Sequence, residues 1–399
     1  MKFSSKIQRC ELSPVRKFYP YEVAAVEKGL TVHHLNIGQP DIETPREFFD
    51  AVAHFSDSVL AYAPAPGENC FLEATQRYYE SLGFHITCDD ILATYGGSEA
   101  LQIVLSCILE EGDEVLVPEP FYPNYTTFVN ITGGKIMPIP TSPEEGYRFA
   151  KRELIEPRIT ERTRAILMTN PGNPTGVVLS REEMRLMADI AKEHDLFLIS
   201  DEVYREIIYT GEKVSSMLEM EDAAENVVVI DSVSKRFSAT GARVGALVTR
   251  NQQLIQEASK ICQSRLCIAT LEQAGAAAMY TRLAQGYYDD VLAQYEQRKE
   301  ALVESLSKLP GVTFNSPEGA FYVMATLPVD DAEKLQYFLL EEFEDQGETV
   351  MFTPAEGFYS NPDDGRNKVR IAYVTNPADI TRAIEILGRG IEAYNARKA

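Results

Sequence analysis

The stretch NVVVIDSVSKRFSATGARVGALV, residues 226–248, decides how the rest of the chain is read. Two apolar runs, 227–230 and 244–248, have the length and β-branched content of short buried strands. Between them lies a polar turn holding Ser232, Ser234, Lys235, Gly241, Arg243 and Gly245. A lysine at a strand's end, followed by hydroxyl, glycine and guanidinium groups, suits a loop that holds an anion. An amine there can also form a Schiff base, provided its surroundings keep it deprotonated. A lysine in a polar loop is more often simply solvated, so the reading depends on what the neighbouring segments supply.

Outward from this stretch the chain alternates strands and helices. Toward the N-terminus, LFLISDEVY and TRAILMTNPGNPTG read as strands, with the helical REEMRLMADIAKEH between them. Further back, DDILATYGGSEALQIVLSCILEEGDEVLVPEP reads as strand, glycine turn, helix and strand, with the turn at a helix N-terminus. Backbone N–H groups and the helix dipole make such a turn an anion site. This alternation predicts a parallel, doubly wound sheet covered on both faces. Ligands of such sheets lie beyond the strands' carboxyl ends, and Ser98, Tyr122, Asn173, Asp201, Tyr204 and Lys235 all follow strands.

Residues 251–310 read as two helices, the second long, with Thr270 and Gln273 as its capping box. Thr44 and Pro45 are expected to open the helix of ETPREFFDAVAHFS. The fold expected is α/β: a large domain, 42–288, with a mostly parallel sheet, and a smaller α+β domain formed by both termini, 1–41 and 289–399.

Composition narrows the function. A net charge of -22 disfavours nucleic-acid binding through a basic field. No run of about 18 apolar residues spans a membrane, and the N-terminal residues lack a signal-peptide core, so a cytoplasmic location is expected. The six cysteines form no C-x-x-C pair and are expected as buried thiols. No metal site is expected.

Three further residues carry chemistry. Asp201 ends an apolar run, where a carboxylate needs a partner; a buried cation such as a protonated ring nitrogen would serve. Asn173 sits in the stiff NPGNPTG loop and can donate an amide hydrogen bond; its bond to Pro174 is the expected place for a cis peptide. Arg370 in KVRIAYV points inward by strand alternation, and its fork suits a carboxylate.

With S-x-S-K-x(5)-G-x-R-x-G at 232–245, and GGSEA, FYPNY, NPGNPTG and DEVY in order before it, the chain resembles the class I/II aminotransferases, pyridoxal-phosphate enzymes of fold type I. The resemblance runs from IGQPD to KVRIA. It implies a Lys235 Schiff base with pyridoxal 5'-phosphate, with the lysine then moving the substrate's α-proton. Asp201 would pair with the ring nitrogen, Tyr204 and Asn173 would bond the ring's phenolic oxygen, and Tyr122 would stack on the ring. Gly97, Ser98 and Glu99 would offer backbone groups to the phosphate, with Ser232 and Arg243. Tyr62 would reach it from a second subunit of a homodimer with shared sites. Arg370 would clamp the substrate α-carboxylate under the backbone of Gly38, with Asn173 beside it. The implied reaction moves an amino group from an L-amino acid to a 2-oxo acid, with 2-oxoglutarate the expected acceptor, by a ping-pong cycle; a carbon–sulfur β-lyase or related lyase is the alternative on the same scaffold. Two departures stand out. The chain has no Trp to stack on the ring, and no motif marks a second arginine for a side-chain carboxylate, for which Arg16, Lys17 and Arg265 are the nearest cations.

Overall fold

A computed structural model describes residues 1–397. Its strands, in chain order, are β1 (Thr31–His34), β2 (Ile91–Thr94), β3 (Glu114–Glu119), β4 (Lys135–Pro140), β5 (Thr163–Thr169), β6 (Phe197–Asp201), β7 (Val227–Ser232), β8 (Gly245–Val248), β9 (Thr313–Phe314), β10 (Tyr322–Thr326), β11 (Glu348–Met351), β12 (Thr353–Pro354) and β13 (Lys368–Ala372). Seven of them form one sheet in the order β2-β8-β7-β6-β5-β3-β4. From β7 to β4 all neighbours are parallel, whereas β8 is antiparallel to both β2 and β7.

Alternation along each strand divides the sheet's side chains between two cores. Val227 and Val229 of β7 pack on one face with Ile166, Met168 and Leu198. Val228 and Ile230 pack on the other with Leu167, Ile199, Leu101 and Val104. Burial on both faces is why these strands read as continuous apolar runs.

The reversal of β8 matters for function. It brings the residues before β8 to the edge where β7 ends, with Gly245 opposite both Ser232 and Thr94. A Cβ on Gly245 would lie 2.6 Å from the Asp231 carbonyl oxygen and 2.7 Å from the Gly96 carbonyl carbon. Only glycine lets these three backbones meet. Gly241 has nothing within 4 Å of where its Cβ would be.

The smaller sheets are β12-β13-β10-β9 and the parallel pair β1-β11. A third core joins Leu35 from the N-terminal part to Leu302, Val323, Leu335, Ile371 and Leu387, and also takes in Tyr204 and Ile207. Several local expectations change. The long helix after residue 270 is two, Thr270–Arg282 and Tyr287–Ser307, divided at Gly286, whose φ is +87°. Gln273 accepts from the Glu68 N–H at 2.7 Å and makes no capping box; Ala269 caps that helix. The helix after Pro45 begins at Arg46, and the Thr44 hydroxyl donates to the Ser238 carbonyl. Of the cysteines only Cys262 is buried, and Cys70 is exposed. Among the described residues no helix is long and apolar enough to cross a membrane.

Candidate active site

A cavity of about 560 Å³ opens beyond the carboxyl ends of the parallel strands. Of the residues expected to form the site, Gly38, Gly97, Ser98, Tyr122, Asn173, Asp201, Tyr204, Ser232, Lys235, Arg243 and Arg370 all line it. Sheet topology accounts for the convergence: Asp201 ends β6, Ser232 ends β7, Asn173 follows β5, and Arg243 precedes the reversed β8. Arg370 arrives from β13 of the other sheet.

Lys235 lies in the helical turn Val233–Arg236, directly after β7. Its Nζ donates to the Gly38 carbonyl at 2.7 Å. Burial, and then the cations of Arg370 and Arg243, bring the amine down to about 8, while Asp201 acts the other way. A neutral amine is therefore accessible near physiological pH. Asp201 shows the complementary behaviour, with burial pushing its carboxyl up to about 6. Its Oδ2 accepts from the Tyr125 hydroxyl at 2.7 Å, and Asp201 forms no ion pair among the described residues. A desolvated carboxylate of this kind gains strongly from a cationic partner.

Arg370 is almost fully buried and has no acidic partner among the described residues. One Nη donates to the Asn36 carbonyl at 2.6 Å and the other to Asn173 Oδ1 at 3.3 Å, leaving Nε unpaired. Its guanidinium lies 4.6 Å from the Tyr322 ring centroid. An unpaired buried cation with free donors on a cavity wall is a carboxylate receptor. The Asn173 amide donates to the Tyr204 hydroxyl at 3.4 Å, and that hydroxyl stands 3.0 Å from the Tyr322 hydroxyl. The Asn173–Pro174 peptide is cis, as are those before Pro120 and Pro171.

At the opposite end, Gly97 and Ser98 lie in the first turn of the Gly96–Ile108 helix. The Ser232 and Ser234 hydroxyls are 2.8 Å apart, and Arg243 donates to the Tyr95 and Thr240 carbonyls. Hydroxyls, a guanidinium and a helix N-terminus together form an anion cup. The Glu99 side chain turns away from it, accepting from the Tyr95 N–H at 2.7 Å and pairing with Arg265 at 3.3 Å. Tyr122 lies on the cavity wall, its hydroxyl held by Asn124 at 2.8 Å. Tyr62 does not line the cavity and is 79% exposed.

The three unassigned cations separate clearly. Lys17 pairs with Glu333, and Arg265 is held by Glu99 and the Ala65 and Ala93 carbonyls. Of the three, Arg16 alone lines the cavity, and it forms no ion pair among the described residues. Sequence reasoning gave no role to Tyr125, Ser234 or Tyr322, although Tyr125 closes FYPNY and Ser234 lies within S-x-S-K. It also missed a buried ionic cluster behind the lysine turn. Asp231 takes Arg236 at 2.9 Å and Arg205 at 3.2 Å, while Glu202 takes Arg205 at 2.8 Å. The one metal-type cluster among the described residues, Glu156, Glu193 and His194, has both carboxylates paired with Arg152.

Comparison with known proteins places these features in a family. The profile described as aminotransferase class I and II matches residues 31–387. The aspartate aminotransferase of Pyrococcus horikoshii is 30% identical over 364 residues, covering 90% of each chain. The aspartate/prephenate aminotransferase of Thermus thermophilus is 30% identical, covering 91% of this chain and 92% of its own. The solved structure of the aspartate aminotransferase from Thermus thermophilus with maleate superposes with a TM-score of 0.88 at 27% identity, covering 98% of this chain and 100% of its own. An alanine aminotransferase from Pyrococcus furiosus superposes with a TM-score of 0.87 at 27% identity, covering 98% and 100%. These relatives are transaminases, and the lyase alternative is not favoured. With a matched profile across most of its length and a shared fold, the chain belongs to the class I and II aminotransferases.

Proposed function

We propose that the cavity binds pyridoxal 5'-phosphate and transfers the amino group of a dicarboxylic L-amino acid, aspartate foremost, to 2-oxoglutarate. The single observation that carries this reading is that one cavity holds both a partly buried lysine whose amine is lowered and a buried aspartate whose carboxyl is raised. The donor set suits the cofactor: a carboxylate lacking a cation, a cup for a phosphate, and hydroxyl and amide donors between them. Pyridoxal phosphate, when bound, supplies an electron sink for the substrate's α-carbon.

The protein's own residues do the rest. Asp201 would meet the cationic ring nitrogen, Tyr204 and Asn173 would present hydrogen-bond donors to the ring oxygen, and Tyr122 would cover a ring face. Gly97, Ser98, the Glu99 backbone, Ser232 and Arg243 take the phosphate. Arg370 clamps the α-carboxylate, with Asn173 and the Gly38 backbone beside it. Lys235 Nζ, once neutral, takes the proton from the substrate's α-carbon. Arg16 lines the same cavity, has no acidic partner among the described residues and suits the distal carboxylate.

A homodimer completes the site. Val59, Leu60, Tyr62, Tyr95 and Leu266 are all exposed, an apolar group whose burial against a second copy would carry Tyr62 to the neighbouring phosphate cup. We further infer the division into a large domain at 42–288 and a small one from both termini, because the two cores on the large sheet draw mostly on residues within 42–288 and the third mostly on residues from the two terminal segments. An acidic chain with unpaired thiols suits a reducing cytoplasm.

The test is a screen of amino-acid donors with 2-oxoglutarate on cofactor-loaded protein. Aspartate is expected to lead, and Arg16→Gln to raise KM about tenfold for dicarboxylic donors, the worth of one exposed charge-assisted contact, while leaving alanine unchanged. Equal rates with aliphatic and dicarboxylic donors would remove the substrate assignment.

A further inference from the structure

We propose that Tyr322 is a positioning residue: its hydroxyl donates to the Tyr204 oxygen, which leaves the single Tyr204 proton free for the cofactor's ring oxygen and couples that proton to the Arg370 clamp. The inference rests on the cofactor reading above.

Proton counting carries the argument. A tyrosine hydroxyl has one hydrogen to donate and two lone pairs to accept with. The Tyr204 oxygen already faces the Asn173 amide at 3.4 Å and the Tyr322 hydroxyl at 3.0 Å. If Tyr204 donates to Tyr322, nothing is left for a cofactor. If Tyr322 donates, Asn173 and Tyr322 fill both lone pairs and the Tyr204 proton must point into the cavity. Tyr322 is 2% exposed, so water does not compete freely for its hydroxyl.

Surrounding groups favour the second arrangement. A Cβ on Gly38 would lie 1.8 Å from the Tyr322 hydroxyl oxygen, so glycine there lets the backbone close directly over it. Arg370 stacks on the Tyr322 ring and also donates to Asn173, which closes a circuit from Arg370 through Asn173 and Tyr204 to Tyr322. Burial pushes Tyr322 up to about 12 while the Arg370 cation draws it back, whereas Tyr204 is pushed well above the usual range and Tyr322 adds to that shift. Tyr322 is thus the more acidic phenol and the better donor. Asp201 and Tyr122 act on both phenols, and Tyr295 and Tyr373 also couple to Tyr322.

The experiment is a pH titration of the visible absorption band of protein loaded with pyridoxal phosphate. Tyr204's donation favours the deprotonated form of that band. Tyr322→Phe keeps the ring under Arg370 and removes only the donor. Its midpoint should rise by about 0.3 pH unit, a twofold change, because the Tyr204 hydrogen bond remains and loses only the strengthening that a donating Tyr322 gives it; a fall would mean that Tyr204 donates to Tyr322 and overturns the proposal. Tyr204→Phe should raise the midpoint further, and adding Tyr322→Phe to it should change nothing more. An unmoved midpoint in Tyr322→Phe, or an equal further shift in the Tyr204→Phe background, overturns the proposal. Should Tyr322→Phe fail to fold, 3-fluorotyrosine at 322 strengthens the same donor and should lower the midpoint; a raised or unmoved one overturns the proposal. Absence of any visible band in the unsubstituted protein sinks the cofactor reading and this one together, whereas a band with an unmoved midpoint sinks this one alone.

Discussion

Lys235 should be far more reactive than any other lysine in the cofactor-free protein, and the size of the difference follows from its surroundings. Burial, Arg370 and Arg243 bring its amine to about 8 from an ordinary 10.5. At pH 8 about half of Lys235 is then neutral, against well under one percent of a solvated lysine, so the ratio of neutral amine is ~100-fold. The assay is competitive labelling with trace acylating reagent across pH 6 to 11, read peptide by peptide. Arg370→Gln removes one of the cations and should move the Lys235 midpoint upward; Asp201→Asn removes the only group raising it and should move it down. Stability should follow in sign. A lysine depressed in the folded state releases its proton earlier than in the unfolded chain, so the unfolded state binds more protons between about pH 8 and 10.5. Relative to Lys235→Met, the protein should gain up to about 3 kcal/mol across that window. A labelling midpoint near that of solvated lysines, or one indifferent to Arg370→Gln, would refute the reasoning.

Three other outcomes are expected. Because burial holds Asp201 at about 6, cofactor affinity should fall about tenfold per pH unit below that point. Calorimetric titration should detect this, and Asp201→Asn should abolish the dependence along with most of the affinity. Arg370→Leu should reduce kcat/KM by about a hundredfold or more for every donor, in line with the 2–5 kcal/mol for truncating one member of a buried charged contact. Retention of kcat/KM within tenfold would exclude Arg370 as the α-carboxylate clamp. Arg236→Met leaves Asp231 short of one buried cation and should destabilise the fold by about 3–5 kcal/mol in urea unfolding.

Much of the site was legible because strand ends are legible. Asp201, Asn173 and Lys235 each stand where an apolar run stops, and a doubly wound sheet sends such ends to one edge. Arg370 was readable from strand alternation alone. Other features depend on contacts between distant segments and leave little local trace. Tyr322 lies in an ordinary apolar strand start, and nothing in FYVMAT announces a hydroxyl 3.0 Å from Tyr204. Arg205 and Arg236 look like surface charges in a linear reading, yet both are buried because Asp231, 26 residues from Arg205, joins them in one cluster that Glu202 completes. The break at Gly286 escaped notice because the helical apolar rhythm resumes beyond it almost in phase. Arg16 could be singled out only after Lys17 and Arg265 were found paired elsewhere.

The central claim is that this cavity runs transamination through Lys235. Mixing cofactor-loaded protein with L-aspartate in the absence of any 2-oxo acid tests it directly. The account predicts one equivalent of 2-oxo acid per chain and then no more, a matching change in the visible band, full reversal on adding 2-oxoglutarate, and loss of all three in Lys235→Ala. Continuous release of 2-oxo acid and ammonia without an acceptor, or undiminished turnover in Lys235→Ala, would contradict it.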